Sequence, residues 1–260
     1  MKRTRIHTDT EAFPKELREW IRGAEIYDSS SSPEARVYFI DKGDGFYLKS
    51  AERGSLVLEA EMTRFFHGKC LAAEVLAHLT VEKDWLLTAR VKGEDCTDKM
   101  YLDNPTRLCD TWAEILRTLH ETDAAGCPVP NRTADYLAAA RKNYLAGKYD
   151  PTLFLEGERP TAEEAWRTVD MYGSLLDADT LIHGDYCLPN VLLDGWRFRG
   201  FIDLGNGGVG DRHVDLFWGA WTLNFNLKTD KYRNRFLDAY GRDKVEEDML
   251  HIIAAAEVFG

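Results

Sequence analysis

Three polar residues stand out by type and spacing: Asp185, Asn190 five positions on, and Asp203 thirteen positions after that. They lie in LIHGDYCLPNVLLDGWRFRGFIDLGNGGVGDRHVDL, from Leu181 to Leu216. The apolar runs Val191-Leu192-Leu193 and Phe201-Ile202 read as short strands that bring the three residues to one end of a hairpin. A carboxylate and an amide oxygen form a donor set for magnesium, which takes hard oxygens and usually one or two carboxylates beside phosphate oxygens and waters. A further carboxylate suits an attacking hydroxyl. Asp185 and Asn190 meet the Asp-x-x-x-x-Asn pattern of a kinase catalytic loop, and Asp203-Leu204-Gly205 stands where an Asp-Phe-Gly element follows. Asp and Asn also favour turns, so the spacing alone is weak. The upstream His183 and the apolar-Ile-Asp-x-Gly string make it specific. His183 is expected to hold the loop by hydrogen bonds. The chemistry indicated is transfer of the γ-phosphoryl of a nucleoside triphosphate to a hydroxyl, with Asp185 as base and Asn190 and Asp203 as magnesium ligands.

Such chemistry also needs a lysine on a strand and an acidic partner on the next helix. Lys49 ends the strand Phe46-Tyr47-Leu48-Lys49, and Glu59 and Glu61 both lie in the helix that follows, over about 55–67 with Gly68 closing it. Spacing leaves the choice between the two glutamates open. Phe13, Leu17, Trp20 and Ile21 predict an amphipathic helix over about 12–22. Ser29–Pro33 is a turn-forming loop, and Val37–Ile40 and Phe46–Leu48 flank a Gly/Asp turn as a hairpin. Trp85–Ala89 reads as a buried strand. Beyond about residue 92 the pattern becomes helical, with helices around Leu108–Leu119, 133–147, 161–177, 211–225, 230–240 and 244–259. Short strands are expected at 180–182, 191–193 and 199–203. The fold class expected is α+β with two lobes: a β-rich nucleotide-binding lobe over 1–92 and a mostly helical catalytic and acceptor-binding lobe over 93–260. Lys49 and Asp203 must then converge.

The chain has 260 residues, 44% hydrophobic and 30% charged, as in an ordinary soluble globular protein. A net charge of −11 argues against a nucleic-acid partner and suits cationic ones. No apolar stretch approaches the ~20 residues of a membrane helix. The N-terminus lacks the apolar core of a signal peptide. Five cysteines with no Cys-x-x-Cys fit a reducing cytoplasm. Asn131-Arg132-Thr133 matches a glycosylation sequon, which has no use in such a compartment. A protein kinase is disfavoured: no Ala-Pro-Glu follows Asp203, and the chain from Asp203 to Asp215 is too short for an activation segment.

HGDYCLPNVLL followed by GFIDLGNGGVGDRHVDL resembles the aminoglycoside phosphotransferases, above all the 3′-phosphotransferase branch. The similarity extends to Val37-Tyr38, Tyr47-Leu48-Lys49, Trp85-Leu86-Leu87, Leu116-x-x-Leu119-His120 and Ala256-Glu257-Val258-Phe259, and so covers nearly the whole chain. The resemblance implies a protein-kinase-like two-lobe fold and phosphorylation of an aminocyclitol antibiotic, conferring resistance, with ATP or GTP and Mg2+. It implies Asp185 as base and acceptor contact, Asn190 and Asp203 on magnesium, and Lys49 on the nucleotide phosphates. It favours Glu59 as the lysine's partner. Ser31 and Ser32, in the Ser29–Pro33 loop, would cover the phosphates. Thr88, Ala89 and Val91 would line the nucleobase site, two of them through backbone groups. Asp215 would anchor the catalytic loop, and Glu257 and Phe259 would face the cationic acceptor. The chain departs from the family at Asn206, Trp221, Phe225 and Asn226, where an arginine, a basic residue and acidic residues are usual. The alternatives are a related kinase of another small amine or sugar, or a nucleotide-binding module without catalysis.

Overall fold

Alternating apolar residues on either side of a Gly/Asp turn build the centre of a six-stranded antiparallel sheet. The structure is a computed structural model that describes residues 3–31, 33–154 and 159–260. The described chain forms two units: one runs to Asp95 and takes in Pro189–Gly205, and the other holds Cys96–Leu188 and Asn206–Gly260.

The first unit begins with β1 (Thr4–Ile6), α1 (Arg18–Ile21), β2 (Glu25–Asp28), β3 (Ala35–Asp41) and β4 (Phe46–Ala51). Next come α2 (Val57–Gly68), β5 (Val75–Thr80), β6 (Asp84–Ala89) and β7 (Glu94–Asp95). The sheet order is β1-β2-β3-β4-β6-β5. The predicted N-terminal helix is largely replaced by single 3₁₀ turns at Thr10–Ala12 and Lys15–Leu17, ahead of the four-residue α1. Pro14 sits between the turns with extended backbone, φ −51° and ψ 140°, and has no N–H to continue a helical ladder. The apolar spacing still does its work: Phe13, Leu17 and Ile21 are buried with Ile26, Ile40, Leu48 and Leu87. Strands β1, β2, β5 and β7 are absent from the sequence-based expectation.

The second unit supplies α3 (Lys99–Leu102), α4 (Pro105–His120), α5 (Arg132–Leu145), α6 (Ala162–Tyr172) and β8 (Thr180–Ile182). Leu108, Trp112, Leu116 and Leu119 form a fully buried stripe on α4, the 3.6-residue periodicity of a core-facing helix. The chain then returns to the first unit as the hairpin β9 (Val191–Asp194) and β10 (Arg197–Phe201). Strand β11 (Gly208–Gly210), paired with β8, and helices α7 (Arg212–Leu227), α8 (Arg233–Gly241) and α9 (Glu247–Glu257) complete the second unit.

The expected single boundary at residue 92 therefore shifts. Glu94 and Asp95 pair with Leu193 and Leu192, and Phe201 N–H donates to Leu71 O at 2.8 Å. These backbone bonds join the β9–β10 hairpin to the sheet-bearing unit, and Asn190 and Asp203 go with it. Among the described residues, no helix is long and apolar enough to cross a membrane.

Candidate active site

Strand β4 places Lys49 opposite Val37 on one side and Leu86 on the other. Its ammonium lies 3.0 and 2.8 Å from the two oxygens of Glu59 and 2.9 Å from Asp203 Oδ1. The choice between glutamates is thus settled: Glu59 is on the buried face of α2, whereas Glu61 is exposed. Burial opposes the Lys49 charge, but Asp203 and Glu59 outweigh it and hold the ammonium above its ordinary range. Burial pushes the Glu59 carboxyl up, by more than Lys49 draws it down, and Asp203 adds to the rise.

Asp203 follows β10 in a left-handed conformation, φ +57°, which Asp adopts more readily than most non-glycine residues. Across the hairpin, Ile202 N–H donates to Asn190 O at 3.0 Å, so Asn190 and Asp203 sit at the same hairpin end, as their spacing predicts. Thr88, Ala89 and Val91 line an apolar slot together with Leu86, Leu192 and Ile202, and Lys49, Glu59 and Asp203 line the same slot. The Ala89 N–H bonds Glu74 O and the Arg90 N–H bonds Gly45 O. Ser31 lines a second, polar space that also reaches Lys49 and Asp203. Its loop is strapped by Ser29 N–H to Val37 O and by Val37 N–H to Ser30 Oγ, at 2.8 and 3.0 Å. Ser32 lies outside the described residues.

The second unit holds Asp185 on a loop with little freedom. Asp215, fully buried at the start of α7, accepts the N–H groups of His183 and Gly184 at 2.7 Å each. His120 Nε2 lies 3.2 Å from the same carboxylate. Burial lowers the His120 pKa, against the pull of Asp215. Asp185 N–H reaches His183 Nδ1 at 3.3 Å, and His183 is itself fully buried, a holding role. Gly184 has φ +78°, and a Cβ there would come within 2.0 Å of Asn206 O, so only glycine fits. Tyr186 locks the loop to α4 by stacking on Trp112 at 3.9 Å and donating to its carbonyl at 2.8 Å.

Glu257 is only 6% exposed. Its Oε1 accepts from Trp218 Nε1 at 2.9 Å and from Tyr136 Oη at 3.1 Å. Burial raises its pKa to about 7 against those two donors, with the Asp185 charge adding to the rise. Phe259, the other expected acceptor contact, has a ring that is 1% exposed and packed edge-on against Tyr144 and Trp166, which anchors the helix end. Tyr136 and Trp218 went unmarked in the sequence. For Trp218 there was a signal, a helical stripe of rings: Trp218 and Trp221 are 5.4 Å apart, and Trp221 and Phe225 stack at 5.0 Å and 9°.

A buried Lys–Glu pair joined to an aspartate at a hairpin end, with a separate Asp-x-x-x-x-Asn loop, is the working set of a phosphoryl-transfer enzyme. The family model described as the phosphotransferase enzyme family matches residues 30–250. The chain belongs to the phosphotransferase enzyme family. Among its relatives, a probable aminoglycoside 3′-phosphotransferase of Lactococcus lactis is 49% identical, over 98% of each chain. The crystal structure of an aminoglycoside 3′-phosphotransferase of type VIII superposes with a TM-score of 0.76 at 26% identity, covering 98% of this chain and 100% of that one. A Streptomyces rimosus aminoglycoside phosphotransferase, solved with ADP and streptomycin, shares the fold: TM-score 0.67, 23% identity, 85% and 90% coverage. The family's fold is the kinase-like α+β fold, with a β-rich N-terminal and a helical C-terminal region, as here.

Proposed function

We propose that the chain is an aminoglycoside O-phosphotransferase that moves the γ-phosphoryl of ATP or GTP onto the 3′-hydroxyl of a cationic aminoglycoside and so confers resistance. The observation that carries this reading is the Lys49–Glu59–Asp203 cluster, in a chain 49% identical to a probable aminoglycoside 3′-phosphotransferase along almost its full length.

The nucleobase enters the apolar slot lined by Thr88, Ala89 and Val91, two of which meet it through backbone groups. Lys49, aligned by Glu59, takes the phosphates, and the Ser31 loop covers them. Asn190 and Asp203 fit magnesium by the chemistry of their donors: hard oxygens, a single carboxylate, and an Asp203 side chain 47% exposed. Magnesium, when bound, screens the phosphate charge. Asp185 orients the acceptor hydroxyl and takes up its proton. Glu257, once ionised, attracts an acceptor ammonium. An acidic chain with five free cysteines and this acceptor fits a cytoplasmic enzyme. A coupled assay of ATP turnover with kanamycin, neomycin, choline and simple sugars tests the reading. Turnover dependent on kanamycin or neomycin supports it, and turnover confined to choline or sugars overturns it.

A further inference from the structure

One row of side chains crosses the six-stranded sheet. Tyr27 on β2 stands opposite Phe39 on β3, Phe39 opposite Tyr47 on β4, and Tyr47 opposite Thr88 on β6. Tyr47 and Thr88 line the apolar slot. Phe39 lies beside Tyr47, with ring centroids 5.3 Å apart. The Phe39 ring is buried and hemmed in: a Cβ at Gly45 would come within 2.8 Å of it and within 3.2 Å of Arg90 Cδ. It is a fixed platform, and two guanidinium groups stand on it. Arg90 Cζ is 5.6 Å from the ring centroid and Arg3 Cζ only 3.6 Å, within the range where a cation is drawn to the negative face of a ring. Arg3 immediately precedes β1, and β2 and β3 separate β1 from β4 in the sheet. Its side chain nevertheless reaches across, and Nη2 donates to Tyr47 Oη at 2.6 Å. A guanidinium can only donate, so the phenol oxygen is the acceptor. A tyrosine side chain turns about two bonds, and a donor held at its tip selects one rotamer.

We infer that Arg3 is a positioning residue for the nucleotide: seated on Phe39, it holds the Tyr47 ring in place as a wall of the slot. It acts through the ring and not by attracting phosphate. This rests on the proposed entry of the nucleobase into that slot, and the experiment separates the two.

Calorimetry measures the binding of adenosine and ADP, with guanosine and GDP alongside, to the parent, Arg3→Ala, Tyr47→Phe and the double variant. Steady-state kinetics use ATP and kanamycin. The uncharged nucleoside is the deciding probe, because a cation that merely attracts phosphate has no hold on it. Arg3→Ala should weaken adenosine and ADP by the same factor, about fivefold, the size of one net hydrogen bond. Its ATP KM should rise by that factor, with kcat and the kanamycin KM near those of the parent. Tyr47→Phe keeps the ring and loses only the acceptor, so it should match Arg3→Ala. The double variant should lose no more than either alone. Arg3 is exposed, and Tyr47→Phe tests the same bond from its other end even if Arg3→Ala folds poorly. Adenosine affinity unchanged in Arg3→Ala, or a Tyr47→Phe variant that binds like the parent, overturns the inference alone. A parent that binds these ligands without turning over kanamycin overturns the acceptor assignment alone. A parent that binds none of the four overturns both.

Discussion

Lys49 Nζ stands 2.9 Å from Asp203 Oδ1, although 154 positions separate the two residues in the chain. With Glu59 completing the cluster, one cation faces two carboxylates before any nucleotide arrives. Replacing Lys49 by Met removes that cation and the phosphate contact together. Its kcat/KM for ATP should fall roughly 100-fold or more, the scale of losing one preorganised charge partner. Steady-state kinetics across ATP concentrations check this. A variant with unchanged ATP dependence would remove Lys49 from the phosphate site.

Asp185→Asn keeps size and hydrogen-bonding capacity but cannot take a proton. Turnover should fall about 100-fold or more, while ADP affinity by calorimetry stays near that of the parent, since the nucleotide slot is lined by residues of the other unit.

Asp215→Ala leaves the buried N–H groups of His183 and Gly184 without their acceptor. Hydrogen bonds to a charged group are each worth about 1.5–3 kcal/mol, so the loss should exceed about 3 kcal/mol and lower the melting temperature by roughly 6 °C or more. Calorimetric melts would show it.

Glu257 gives a pH signature of defined sign. Its carboxyl titrates at about 7 in the folded chain against an ordinary 4.5, so between those values the native state keeps a proton that the unfolded state has lost. Stability contributed at this site is full below the ordinary value and falls as pH rises toward 7. Glu257→Gln should lack this slope, so its melting temperature should gain on the parent between pH 4 and 8. In the parent, aminoglycoside KM should rise as pH falls from 8 to 6 while ATP KM stays flat, because the acceptor meets a neutral group. In Glu257→Gln the aminoglycoside KM should be high at both ends.

The placement of Asp185, Asn190 and Asp203 was legible in the sequence because it depends on short-range geometry: one loop, one hairpin, one glycine in the right place. Strand β5 was not legible. Val75–Leu79 is half-buried at every position, so it has none of the period-two alternation that marks a strand. Strand β2 holds a single buried residue, Ile26, and its identity as a strand comes from pairing with β3. Glu257 was legible as a carboxylate on the C-terminal helix, but not as a buried one, because Tyr136 and Trp218 come from distant helices. The partners of the Phe259 ring were not legible for the same reason: Tyr144 and Trp166, which close on it, come from other helices.

The 2.0 Å gap between a would-be Cβ at Gly184 and the Asn206 carbonyl bears on inheritance as well as on folding. A backbone atom cannot step aside as a side-chain tip can, so every single-nucleotide missense change in that codon inserts a group where none fits. Copies of this gene under selection by an antibiotic should therefore be uniform at that codon even where Asn206, whose side chain is free to vary, has drifted. Under the proposed function, a copy carrying any other residue at 184 should be scored from sequence as inactive.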